Sequence, residues 1–137
     1  MTQQSCTVTA RFDGLEEAWV EGDERARWRS VTGHAGSASG SSLLEVPRGC
    51  RVPRHTDSAE ESLVVLNGTA LVDVDGATTQ VCSGDIALVP EGAPHEVRNV
   101  GVGPLRFAAI YASPDVVTTY DDEVQPDGGR ERKSTPS

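Results

Sequence analysis

The chain has 137 residues, enough for one domain with one core but too few for a barrel plus a separate nucleotide-binding domain. A formal net charge of -9 makes it a poor partner for phosphate backbones and anionic lipid, so nucleic-acid and membrane roles are not expected. No apolar run approaches the roughly 20 residues of a spanning helix. Residues 1–10 lack the basic-then-apolar layout of a secretory signal, so a cytoplasmic setting is expected. Cys6, Cys50 and Cys82 are odd in number and give no disulfide framework. No motif pairs one with a base, so they read as reduced, partly buried thiols.

In chain order, helical periodicity is scarce, while short Val/Leu/Ile/Thr-rich stretches between Gly, Pro and Asp turns are frequent. Residues 16–21 and 26–32 read as early strands. Arg25, Arg27 and Arg29 alternate there with Ala26, Trp28 and Ser30, the period of a half-buried strand. Either the arginines form a solvated face with Trp28 packed inside, or they stand at a pocket mouth and hold an anionic substrate. Residues 33–42 read as a flexible loop, and His34 within it as a surface residue. Strand signals follow at 42–46, 62–66, 70–73, 78–82, 86–89, 95–99 and 105–112. Asn67-Gly68 and Asp75-Gly76 are the strongest hairpin signals. Such spacing predicts an all-β, antiparallel sandwich or barrel. Residues 115–120 could be one more strand or a short helical turn, and 127–137 reads as a disordered tail.

The stretches that carry chemistry begin at Gly49. Five residues separate it from His55; Asp57 and Glu61 follow, and six residues separate Glu61 from Gly68. A second stretch runs Gly84, five residues, Pro90, Glu91, Gly92, two residues, His95, three residues, Asn99. They resemble the two motifs of the cupin family, G-x5-H-x-H-x3,4-E-x6-G and G-x5-P-x-G-x2-H-x3-N. The second matches at every defined position. The first departs at one, since Asp57 stands where the family has its second histidine.

The resemblance implies a single cupin unit, a jelly-roll or double-stranded β-helix barrel, over residues 1–120. Residues 121–137 would be a C-terminal extension, its last ten or so residues disordered. It also implies one divalent metal ion held by His55, Glu61 and His95, with three outcomes open for Asp57: a fourth ligand, an acceptor for a ligand histidine, or a general base. Without Asp57 the set is a two-histidine, one-carboxylate face suited to Fe(II); with it, the harder Mn(II) or Fe(II) is favoured, while Zn(II) and Ni(II) remain open. The spacing is consistent with this. His55, Asp57 and Glu61 are all odd-numbered, so one continuous strand would aim them to one face, with Glu60 pointing outward. Buried carboxylates beside two histidines call for a cation. Asp85 reads as a turn residue, and Asn99 as fixing a turn rather than binding metal.

On the last clear strand, Leu105, Phe107, Ala109 and Tyr111 share one face, expected to be inward, which would place a phenol near the metal. The functional expectation is a metal-dependent enzyme on a small organic metabolite. The ion would act as a Lewis acid and Asp57 or Tyr111 would move a proton, in a cyclisation, isomerisation or elimination. The alternatives are a non-haem Fe(II) dioxygenase and a non-catalytic small-ligand-binding barrel. The resemblance also implies a homodimer paired through exchanged terminal strands.

Overall fold

The computed structural model describes residues 9–20, 24–31, 37–125 and 128–133. After a short 3-10 turn at Phe12–Gly14, twelve strands follow: β1 (Glu16–Val20), β2 (Glu24–Val31), β3 (Gly40–Val46), β4 (Arg51–Asp57), β5 (Glu61–Asn67), β6 (Thr69–Val74), β7 (Ala77–Cys82), β8 (Ile86–Val89), β9 (His95–Asn99), β10 (Leu105–Tyr111), β11 (Val117–Val124) and β12 (Gly129–Lys133). They form two six-stranded antiparallel sheets, ordered β1-β2-β3-β10-β5-β8 and β12-β11-β4-β9-β6-β7. No helix among the described residues is long and apolar enough to cross a membrane.

Alternation in the sequence becomes alternation in burial. Along β3, Ser42, Leu44 and Val46 are buried, and along β10 so are Leu105, Phe107, Ala109 and Tyr111. All of these but Ser42 join Val52, Val72 and Val97 of the opposite sheet in one core. Burying a Leu or Phe of this kind contributes roughly 1.5–3 kcal/mol. The face of β10 expected to point inward therefore does so.

Three expectations need correction. First, Asn67-Gly68 is not a hairpin turn: β5 and β6 belong to different sheets, and the chain crosses between them here. Gly68 has φ +97°, and a Cβ on it would lie 2.9 Å from the Pro104 carbonyl oxygen. Asp75-Gly76 does close a hairpin, with φ 53° and 90° at its centre and Val74 paired to Ala77. Second, residues 55–61 are not one strand. β4 ends at Asp57 in one sheet and β5 begins at Glu61 in the other. Ser58 and Glu60 of the crossing are tied by Ser58 N to Val117 O and Ala112 N to Glu60 O, each at 3.0 Å. Third, the tail is not wholly irregular. Residues 115–120 lead into a strand, β11, and Gly129–Lys133 pairs with it as β12. Gly128 turns the chain with φ +77°, and the polar sequence finds its partners in the ladder and in the Arg132 guanidinium, which donates to the Val124 carbonyl at 2.9 Å. Strand β11 runs through position 120, so the expected end of the domain there falls inside a strand.

Candidate metal centre

Four side chains from three strands converge on one point between the sheets. His55 and Asp57 come from the end of β4, and His95 from the start of β9 beside it, paired to His55. Glu61 enters from β5 in the facing sheet. The bend at Pro90-Glu91-Gly92 is held by Gly92 N to Asp57 O, 3.0 Å, which locks the second motif onto the first. All four side chains are buried, none more than 5% exposed.

The histidines are oriented from behind. The Nδ1–H of His55 donates to the Pro53 carbonyl at 2.6 Å, and that of His95 to the Ala93 carbonyl at 2.9 Å. A carbonyl can only accept, so each Nδ1 carries the hydrogen and each Nε2 faces the centre, the arrangement that metal-binding imidazoles need. His55, Asp57 and His95 each offer a ligand atom within 4.8 Å of the others. Asp57 Oδ2 lies 3.5 Å from His55 Nε2 and 3.3 Å from His95 Nε2; Glu61 Oε1 lies 3.1 Å from His95 Nε2.

Asp57 Oδ2, Glu61 Oε1 and His95 Nε2 are buried and make no well-formed hydrogen bond, their polar neighbours at the centre being one another and His55 Nε2. Orphaned buried polar atoms are rare because each costs about 1–3 kcal/mol or more. Three of them aimed at one spot fit a cation. Two nitrogen and two carboxylate donors form a set suited to a divalent metal ion.

The electrostatics agree. Burial alone would raise the Asp57 carboxyl, but the His55 and His95 imidazoles and the Thr118 hydroxyl outweigh it and hold the group well below the usual carboxylate range. Burial alone would lower the His95 imidazole, yet the Asp57 and Glu61 carboxylates push it up to about 10. The site thus attracts positive charge strongly enough to hold a proton where an ion would sit.

A cavity of about 40 Å³ opens above the centre, enough for roughly three water-sized groups. Its walls include Trp28, Leu63, Val97, Phe107, Tyr111 and Tyr120. Burial, then the Glu61 and Asp57 charges, push the Tyr111 phenol well above 10. The Tyr111 phenol therefore stays protonated at neutral pH beside the centre.

The structure brings His55, Asp57, Glu61, His95 and Tyr111 together, the residues the sequence pointed to. It does not bring the early arginines there. Arg27 reaches Glu45 at 3.1 Å, where Arg106 also binds at 2.7 Å, and Arg29 is exposed. From that strand Trp28 and Ser30 line the pocket instead. Asp85 caps its turn by accepting from Cys82 N at 2.8 Å. Asn99 fixes a turn, donating to the carbonyls of Val46 and Gly103 and accepting from Gly101 N. Glu60 is exposed, as is Cys82, contrary to its expected partial burial; Cys50 is half-buried. Cys6 and His34 lie outside the described residues.

Sequence reasoning missed Thr118, Tyr120 and Arg132, which line the pocket from β11 and β12. Thr118 Oγ1 donates to Asp57 Oδ1 at 2.6 Å, and the Tyr120 ring lies 5.1 Å from the His55 ring. The same-face spacing of Thr118 and Tyr120 was the available signal, but it sits in a polar stretch with no motif.

Comparison with known proteins agrees with this geometry. A search of curated protein sequences finds no match. Among solved structures, an S161A mutant of Bacillus subtilis oxalate decarboxylase superposes with a TM-score of 0.68 at 20% identity, covering 76% of this chain and 30% of that one. The Schizosaccharomyces pombe Cnp3 cupin domain gives 0.63 at 18%, covering 77% and 74%. The plu4264 protein of Photorhabdus luminescens gives 0.63 at 18%, covering 79% and 88%. This chain spans less than a third of the decarboxylase it resembles, and likeness at these identities is a likeness of fold. A cupin domain model matches residues 42–111, which hold both motifs and all four candidate ligands. The chain belongs to the cupin domain family.

Proposed function

We propose that this chain is a metal-dependent enzyme acting on a small organic metabolite, with one divalent ion held by His55, Asp57, Glu61 and His95. The observation that carries the reading is the set of three buried donor atoms, of Asp57, Glu61 and His95, converging beside a small pocket that His55, Glu61 and His95 line. A bound ion would supply Lewis-acid polarisation of a substrate oxygen. The chain's own residues would do the rest. Phe107, Leu63 and Val97 exclude water from the reacting groups. Asp57, a very weak base in this setting, serves as a ligand rather than as the proton acceptor. Tyr111, protonated at neutral pH, donates a hydrogen bond or a proton to the oxygen on which charge develops. A structural neighbour, Bacillus subtilis oxalate decarboxylase, carries Mn(II) centres, which supports a hard divalent ion in this fold.

The test is turnover of a panel of small keto and hydroxy acids by metal-loaded protein, followed by NMR. We expect turnover that chelation abolishes and that proceeds without oxygen. Turnover with oxygen uptake on iron-loaded protein would make the chain a dioxygenase instead. Ligand binding without turnover on any loaded form would leave it a binding barrel.

A further inference from the structure

We propose that Thr118 is a positioning residue that restricts Asp57 to binding the ion through Oδ2 alone, and so sets the affinity and geometry of a site in which aspartate replaces histidine. The inference rests on the metal reading above. An imidazole at position 57 would present one nitrogen to the centre. A carboxylate presents two oxygens and can bind through either or both. Here one oxygen is already taken: Thr118 sits directly across from Asp57 in the β11–β4 register, and its hydroxyl donates to Oδ1 at 2.6 Å. That short bond to an ionised acceptor is of the stronger kind. It leaves Oδ2, 3.3 Å and 3.5 Å from the two imidazole nitrogens and with no hydrogen bond among the described residues, as the oxygen that faces the centre. Asp57 is 3% exposed, so water has little access to compete for the Thr118 hydroxyl.

The same strand backs a second ligand. Tyr120, two residues on, is paired with His55 and lays its ring against the imidazole. Strand β11 lies beyond the 42–111 span matched by the family model, so the support for Asp57 comes from outside the part of the chain that carries the motifs.

The test compares wild type with T118V, T118A and T118S, using Mn(II) alone as probe. Affinity is read by chelator competition, and coordination by the electron paramagnetic resonance spectrum of bound Mn(II). Outer-sphere partners of metal ligands are typically worth 10–100-fold in affinity, so T118V and T118A should bind Mn(II) about 10–100-fold more weakly, with an altered spectrum. T118S, which keeps the hydroxyl, should stay within about threefold of wild type with the spectrum retained. Thermal unfolding verifies folding, and T118A stands in if T118V does not fold. Wild-type affinity and spectrum in the hydroxyl-free variants would overturn the proposal. So would equal loss in T118S, since the hydroxyl would then not be the active part. A wild type that binds no Mn(II) would remove the metal reading, and this inference with it.

Discussion

Gly68 ends the first motif, and the structure gives its replacement a calculable cost. In Gly68→Ala the new Cβ would meet the Pro104 oxygen at 2.9 Å and the Leu105 Cα at 3.1 Å. Neither neighbour yields easily. The Pro104 carbonyl also accepts from Asn67 Nδ2 at 3.1 Å, and Leu105 is fully buried at the start of β10. The backbone at φ +97° adds about 1–2 kcal/mol for any residue with a Cβ. Overpacking adds roughly 1–3 kcal/mol. Gly76→Ala is the control, because φ is +90° there but no atom lies within 4 Å of the new Cβ. In thermal unfolding, at about 4 °C per kcal/mol for a chain of this size, Gly76→Ala should lower Tm by about 4–8 °C and Gly68→Ala by about 8–20 °C. Equal losses in the two variants would refute the clash, and with it the reading of Gly68 as a close crossing between sheets.

Asn99→Ala removes two buried donors and one acceptor at a turn, and should cost roughly 2–4 kcal/mol in urea unfolding without altering which metal binds. Tyr111→Phe should keep metal uptake and lose roughly a hundredfold in turnover; loss of metal instead would move Tyr111 out of the proton-transfer role. Metal and proton compete for His95. Its metal-free imidazole is raised to about 10, so it stays protonated below that pH and must release the proton when an ion binds. Apparent metal affinity should therefore rise about tenfold per pH unit up to that value. Calorimetry in buffers of different protonation enthalpy should show at least one proton released per ion, and a pH-independent affinity would contradict it.

Much of this was legible in the sequence because it rests on local patterns. The inward face of β10 follows from the alternation of Leu105, Phe107, Ala109 and Tyr111, and the turn at Asp75-Gly76 from its two residues. What was lost rests on pairing between distant segments. The odd numbering of His55, Asp57 and Glu61 reads the same whether the strand is continuous or broken at Ser58, so the sequence pointed to residues that do converge, but on a strand that is in fact two. Asn67-Gly68 carries a hairpin signal, but Pro104 packs against it and the chain crosses sheets instead. Residues 127–137 have the composition of a disordered tail, and only the β11 ladder makes a strand of Gly129–Lys133. Thr118 is an ordinary polar residue until the register sets it opposite Asp57.

The measurement that bears most directly on the metal centre is elemental analysis of protein purified without chelator or affinity metal, for wild type and His95→Ala. His95 is fully buried and lies within 3.3 Å of both carboxylates, so its loss should empty the site. We expect near-stoichiometric manganese or iron in wild type and almost none in a folded His95→Ala. A wild type that carries no divalent metal and takes none up would contradict the metal centre, and the three orphaned atoms would need another partner.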